Sequence, residues 1–262
     1  MSTAQQDQIR ILILNPNSSK SMTDGMAKSI SSLNLPDNIK ITYYTASTSC
    51  PASINNGTDL DTSASVVLKD LSSNLQLLKD HDAVLVCCYS VHHLVPGLSE
   101  LASSNGFPLA VTGIFEASVL TCLSLLTSPT KRWGIVTTGK YWEEHLTVGV
   151  KKFLGQEEGG NNAKFAGVQT TGLDAGDFHG DISKEVIDAK LAEATKKLLQ
   201  AGDVECVVMG CAGMAGLEQI IRRTAQSQSG EERGKKVMVV DGVRAGVGLV
   251  AEMVKNRRMF TQ

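Results

Sequence analysis

The chain predicts an α/β protein of two pseudo-symmetric lobes. Each would be a mainly parallel sheet of about four strands flanked by helices, with an active site between the lobes. Three observations lead there. Short β-rich runs alternate with helical stretches along the whole length, as in βαβ units. Several of the runs are near-continuous Val, Ile and Leu, which is expected of strands covered by helices on both faces. The order of elements in the first half then returns in the second.

Strands are predicted over 9–14, 39–44, 83–88, 109–113, 133–137, 164–169, 204–210 and 236–240. After the first strand, Met22, Met26, Ile30 and Leu33 follow helical spacing behind a Ser21-x-x-Asp24 start. In the second half Ile182, Val186, Ile187, Leu191, Ala194 and Leu198 do the same. The repeat pairs Arg10-Ile-Leu-Ile-Leu-Asn15 with Arg132-Trp-Gly-Ile-Val-Thr137, and residues 109–116 with 237–244. It also pairs the strand ending at Cys88 with the one ending at Cys211. The lobes are therefore set at 1–127 and 128–262, the last helix packing back on the first lobe. Residues 155–162 and 226–236 are polar and contain Gly, and are expected to be surface loops without chemistry.

The totals narrow the function. With 262 residues the chain can bury a full core without disulfides or metals. A hydrophobic content of 42% excludes disorder, and a formal charge of −2 without a Lys/Arg stripe argues against a nucleic-acid partner. The apolar runs are strand-sized, so no membrane span is predicted. The polar start Met-Ser-Thr-Ala-Gln-Gln-Asp-Gln does not resemble a signal peptide, and a cytoplasmic location is expected. The six cysteines then read as reduced thiols.

Cys88 and Cys211 stand out among them. Each ends a buried-looking strand and opens a small-residue turn, and each follows an acidic residue by six positions, Asp82 and Glu205 respectively. Cys87 and Cys88 are adjacent, so only one of the two can face a site. In open parallel sheets ligands bind outside the carboxyl ends of the strands. That edge gathers Asn15-Pro16-Asn17-Ser18-Ser19, Cys88-Tyr89-Ser90, Thr137-Thr138, Cys211-Ala212-Gly213 and Asp241-Gly242. Ser90, Ala212 and Gly213 are accordingly candidate binding residues. Helix N-termini there supply N–H donors that can hold an enolate oxygen and lower a thiol pKa. One thiolate and one thiol on opposite faces of a carbon would remove a proton from one side and return one to the other. Asn15, Asn17 and Ser18 serve equally as turn and cap residues. Adjacent His92 and His93 lack the spacing of a metal pair, and no metal is predicted.

The segments Asn15-Pro16-Asn17-Ser18-Ser19, Pro51-Ala-Ser-Ile54, Asp82-Ala-Val-Leu-Val-Cys-Cys88, Gly113-Ile-Phe-Glu116, Val136-Thr137-Thr138, Gly210-Cys211-Ala-Gly-Met-Ala-Gly-Leu217 and Val240-Asp241-Gly242-Val243 together resemble the Asp/Glu/hydantoin racemase superfamily, in its hydantoin/allantoin branch. The resemblance covers nearly the whole chain. It implies flavodoxin-like lobes, a homo-oligomer, racemisation of a small cyclic ureide without a cofactor, and Cys88 and Cys211 as the acid/base pair. It also implies that Asn15, Ser53, Thr137 and Thr138 touch substrate. One stretch departs from it. Where bacterial members carry Phe-Gly-Asp-Pro after the first cysteine, this chain has Tyr89-Ser90-Val91-His92-His93. Alternatives are an aspartate or glutamate racemase, a one-cysteine lyase or isomerase of malonate decarboxylase or maleate isomerase type, and a non-catalytic binding protein.

Overall fold

In a computed structural model of the chain, residues 8–157, 160 and 162–261 are described. Among them the strands form two four-stranded parallel sheets, the architecture expected from the sequence. The first comprises β1 (Ile9–Asn15), β2 (Ile39–Thr45), β3 (Ala83–Val86) and β4 (Ala110–Gly113), in the order β2-β1-β3-β4. The second comprises β5 (Arg132–Thr137), β6 (Phe165–Thr170), β7 (Val204–Met209) and β8 (Met238–Asp241), in the order β6-β5-β7-β8. The two orders are the same permutation of their elements, so the internal repeat holds at the level of topology.

In the first sheet the pleat divides the apolar side chains between two faces. Leu12, Leu14, Val84 and Val86 join one buried cluster with Val67 and Leu71 of α2 (Gly57–Ser73) and with Leu98 of α4 (Leu94–Ser104). A short helix, α3 (Leu75–Lys79), leads from α2 into β3. On the first sheet's edge α1 (Lys20–Ser31) buries Met22, Met26 and Ile30. In the second sheet Val136, Val207 and Met209 pack with Leu191, Ala194 and Leu198 of α7 (Lys184–Leu199) and with Ile221 and Ala225 of α8 (Glu218–Ser229). Each such Leu or Ile taken fully from water is worth about 1.5–3 kcal/mol.

Two compact units divide the chain, but not at 127/128. One contains the described residues up to Cys88, His92–Ile114 and those from Val243 onward; the other contains Tyr89–Val91 and Phe115–Gly242. The boundary nearest residue 127 falls inside α5 (Ile114–Leu125), between Ile114 and Phe115, because its apolar residues Phe115 and Cys122 make second-unit contacts. Phe115 lies edge-on to Tyr89 and to Phe153 of α6 (Tyr141–Phe153), and Cys122 Sγ lies 3.1 Å from Cys206 Sγ of β7. The last helix, α10 (Gly242–Phe260), belongs almost wholly to the first unit. Its Gly246 lies so close to the first sheet that a Cβ there would stand 2.6 Å from Leu85 Cδ1. Its Arg257 donates to Leu109 O at 2.6 Å, and its Arg258 donates to Gln8 O at 3.0 Å and pairs with Asp82.

Some local readings differ from the structure. The first helix starts at Lys20 with Ser19 as its cap, two residues before the Ser21 start, because the Ser19 hydroxyl accepts from Met22 N. Residues 226–236 are not a loop: α8 runs to Ser229 and α9 (Glu231–Gly234) follows. Their polar residues are the solvent side of a helix whose Ala225 is fully buried. Of the other expected loop, residues 158, 159 and 161 lie outside the described residues.

Candidate active site

The two thiols hold equivalent positions in the two sheets. Leu14 of β1 is in register with Val86 of β3, and Cys87 N, one residue on, donates to Leu14 O at 2.8 Å. Val136 of β5 is in register with Met209 of β7, and Gly210 N donates to Val136 O at 2.7 Å. Cys88 and Cys211 are each the next residue, just past the carboxyl end of the strand. Cys87 is buried with its Sγ 3.6 Å from Leu85 O, whereas Cys88 is half-exposed, as alternation requires. Cys211 is also half-exposed, and Cys50, Cys122 and Cys206 are buried.

In the first unit Asn15 ends β1 and is fully buried. Its Nδ2 donates to Ser19 O and to Thr23 Oγ1, both at 3.0 Å, and its Oδ1 accepts from Asn17 N at 3.2 Å. Both amide hydrogens are therefore committed to shaping the β1–α1 loop, leaving one lone pair of Oδ1 for anything else. Asn17 Oδ1 accepts from Ser19 N at 2.9 Å. Ser18 donates through its N to Pro51 O and through Oγ to Cys50 O, each at 3.0 Å, which brings the 50–54 loop beside the Asn15 loop. On that loop the half-buried Ser53 donates to Asn55 Oδ1 at 3.0 Å.

In the second unit Thr137 ends β5, fully buried, and donates from Oγ1 to Gly210 O at 2.5 Å. Its one hydroxyl hydrogen thus fixes the residue before Cys211. Glycine is required at 210, since a Cβ there would lie 2.6 Å from Ile135 Cγ2 and 2.8 Å from Thr137 Cβ. Thr138 is buried, and its carbonyl accepts from Gly172 N at 3.2 Å and Thr171 Oγ1 at 3.4 Å. Cys211 caps a 3-10 turn, Ala212–Met214, and its Sγ accepts from Gly213 N at 3.3 Å. Burial pushes the Cys211 thiol up to about 11, against the opposing pull of the Gly213 and Met214 N–H groups. The lowering expected from backbone donors is present, but desolvation outweighs it. Ser90, on the Tyr89–Val91 stretch, is fully buried, and Asp241 at the end of β8 is nearly so.

Thr137, Gly210, Cys211 and Gly213 are thus brought together in one unit, and Asn15, Ser18 and the 50–54 loop in the other. Ser63 and Gly210 were not singled out in the sequence as residues that shape these loops, although the Ser63 hydroxyl donates to Pro16 O at 2.6 Å. Ser63 had a signal: it is a fully buried hydroxyl on the apolar stripe Leu60, Ala64, Val67 and Leu71 of α2. His92 and His93 have separate partners, Leu94 N at 3.2 Å for the first and Asp61 at 3.1 Å for the second. Among the described residues no three His, Cys, Asp or Glu side chains cluster as a metal site, and no helix is long and apolar enough to cross a membrane.

The family described as Asp/Glu/Hydantoin racemase matches residues 11–250. An uncharacterized protein of Schizosaccharomyces pombe is 33% identical over 257 residues, 97% of this chain and 94% of that one. A hydantoin racemase of Paenarthrobacter aurescens is 26% identical over 246 residues, 94% and 91% of the two chains. The crystal structure of an allantoin racemase from Pseudomonas fluorescens superposes with a TM-score of 0.74 at 23% identity, covering 95% of this chain and 92% of that one.

Proposed function

The chain belongs to the Asp/Glu/hydantoin racemase family, and from that premise we propose that it racemises a cyclic ureide, allantoin or a 5-substituted hydantoin, without a cofactor. The observation on which this rests is the duplication of a half-exposed thiol, one residue past the same ladder bond in each sheet. The hydantoin racemase relative, similar across nearly its full length, supports the substrate class. So does the neutral character of the strand-end groups Asn15, Ser53, Thr137 and Thr138, which suits an uncharged ring better than a doubly charged amino acid.

The C5 hydrogen of such a ring lies beside a carbonyl, so its removal gives an enolate that N–H donors stabilise. Cys88 as thiolate takes the proton from one face. Cys211, held as a thiol by desolvation, gives its proton to the other face, and the C5–H bond re-forms with inverted configuration. The enzyme is left with Cys88 protonated and Cys211 as thiolate, the starting state for the opposite enantiomer. The Gly213 and Met214 N–H groups that oppose desolvation at Cys211 stabilise that second state. Cys88, Cys211, Asn15, Ser53, Ser90, Thr137, Thr138, Ala212 and Gly213 are the proposed site residues, in a cytoplasmic homo-oligomer.

The test is circular dichroism of enantiopure allantoin, and separately of a 5-substituted hydantoin, with the protein in D₂O. Loss of optical signal with deuterium entering C5, above the spontaneous rate, is expected, and Cys88→Ser and Cys211→Ser each abolish it while remaining folded. No acceleration on either ureide, or near-normal turnover by either variant, refutes the proposal.

A further inference from the structure

We propose that His92 is a positioning residue that fastens the chain four residues beyond Cys88 to the Asn15-Pro16-Asn17 loop, through a buried hydrogen-bond chain running from His92 through Ser63 to Pro16. This rests on the reading of those two segments as parts of the substrate site. Every link lies in the first unit. Ser63 Oγ donates to Pro16 O at 2.6 Å, His92 Nε2 lies 3.5 Å from Ser63 Oγ, and Leu94 N donates to His92 Nδ1 at 3.2 Å. Ser63 and His92 are 0% and 1% exposed, so water does not compete for these bonds.

The proton count admits one arrangement. Leu94 N–H requires His92 Nδ1 to be bare. Ser63 has a single hydroxyl hydrogen and gives it to Pro16 O, so its oxygen accepts from His92 and the imidazole hydrogen sits on Nε2. The imidazole is therefore neutral, and burial, with His93 adding a smaller effect, depresses its pKa to about 3 in agreement. Other bonds of the Asn15 loop lead to α1 and to Cys50 and Pro51. The Pro16 carbonyl is its link to α2 and, through α2, to the chain that leaves Cys88. His92 lies in the Tyr89–His93 stretch, which differs from the Phe-Gly-Asp-Pro that bacterial members are expected to carry.

The experiment combines three variants with two readouts that need no substrate. His92→Asn keeps an acceptor for Leu94 N–H but cannot reach Ser63; Ser63→Ala removes the middle of the chain; the third variant carries both. In the wild-type protein, long-range ¹H–¹⁵N NMR at neutral pH is expected to show His92 as the neutral Nε2–H tautomer. Carbamidomethylation of Cys88 by iodoacetamide, followed by peptide mass spectrometry, is expected to speed up severalfold in each variant. On whichever ureide is turned over, KM rises about tenfold with kcat little changed, and the double variant is no worse than either single one. An Nδ1–H tautomer, or additive effects of the two substitutions, overturns the proposal even if a variant fails to fold. Since the tautomer and the alkylation rate are independent of turnover, a protein inert toward ureides that still shows both refutes the function and leaves the link standing.

Discussion

Replacing Thr137 by Val keeps the shape of a fully buried side chain and removes one hydrogen bond. Thr137 Oγ1 sits 2.5 Å from Gly210 O; a methyl carbon against a carbonyl oxygen comes to rest at about 3.3 Å, so the Gly210 carbonyl must retreat by roughly 0.8 Å. Leaving that carbonyl without its donor costs about 1–3 kcal/mol. With a urea slope of about 2 kcal/mol/M this lowers the unfolding midpoint by roughly 0.5–1.5 M. The displaced residue is the one before Cys211, and a misplacement near 1 Å costs about a hundredfold in rate. The assay is urea unfolding followed by tryptophan fluorescence, alongside deuterium exchange into the ureide. Thr137→Ser, which keeps the hydroxyl, is expected to stay close to wild type in both. If Thr137→Val is as stable as wild type, or if Thr137→Ser is damaged equally, the hydroxyl does not hold the Cys211 turn.

Gly246→Ala places a Cβ 2.6 Å from Leu85 Cδ1 and lifts α10 from the first sheet, with a loss of about 1–3 kcal/mol measurable by thermal unfolding. Burial acts to raise the Asp82 pKa, but hydrogen bonds from the Arg10 side chain and backbone outweigh it, so the native value lies below the ordinary 3.8. The stability from this pair is therefore present above that ordinary value and disappears as pH falls through the lowered native one. Asp82→Asn is expected to destabilise at pH 7 and to match wild type once the medium is acidic enough to protonate Asp82 in the native state. Because the Cys211 thiol is pushed up to about 11, its alkylation by iodoacetamide in the substrate-free protein is expected to keep rising through pH 10. A plateau near pH 8 would mean that the backbone donors, not desolvation, govern this thiol.

Most of the architecture was legible because a parallel sheet covered on both faces writes itself as apolar runs, and the repeat of those runs gave two sheets of about four strands each, while the order of the strands within each sheet is a tertiary fact. Asn15 and Thr137 were legible as strand-end positions but not in what they bond to. A strand-end Asn or Thr has the same appearance in sequence whether it faces a ligand or a backbone carbonyl, and here the bonds to Ser19, Thr23 and Gly210 are tertiary facts. The unit boundary was misplaced for a similar reason. The internal repeat set it where the second copy of the pattern begins, but Phe115 and Cys122 choose their unit by what they pack against. The 226–236 stretch failed on composition, since a solvent-facing helix can be as polar as a loop.

The return of α10 to the first sheet has a consequence for how the protein is made. On the ribosome β1 to β4 emerge first, but the helix that bears on Leu85, Leu109 and Asp82 emerges last, after the whole second sheet. Residues 115–242 form a nearly unbroken stretch and can close their contacts as they appear. The older sheet waits through that interval with an uncovered apolar face, open to chaperones and to mispairing. A nascent chain halted short of residue 243 would thus hold its second half finished and its first half exposed, the reverse of the order of synthesis.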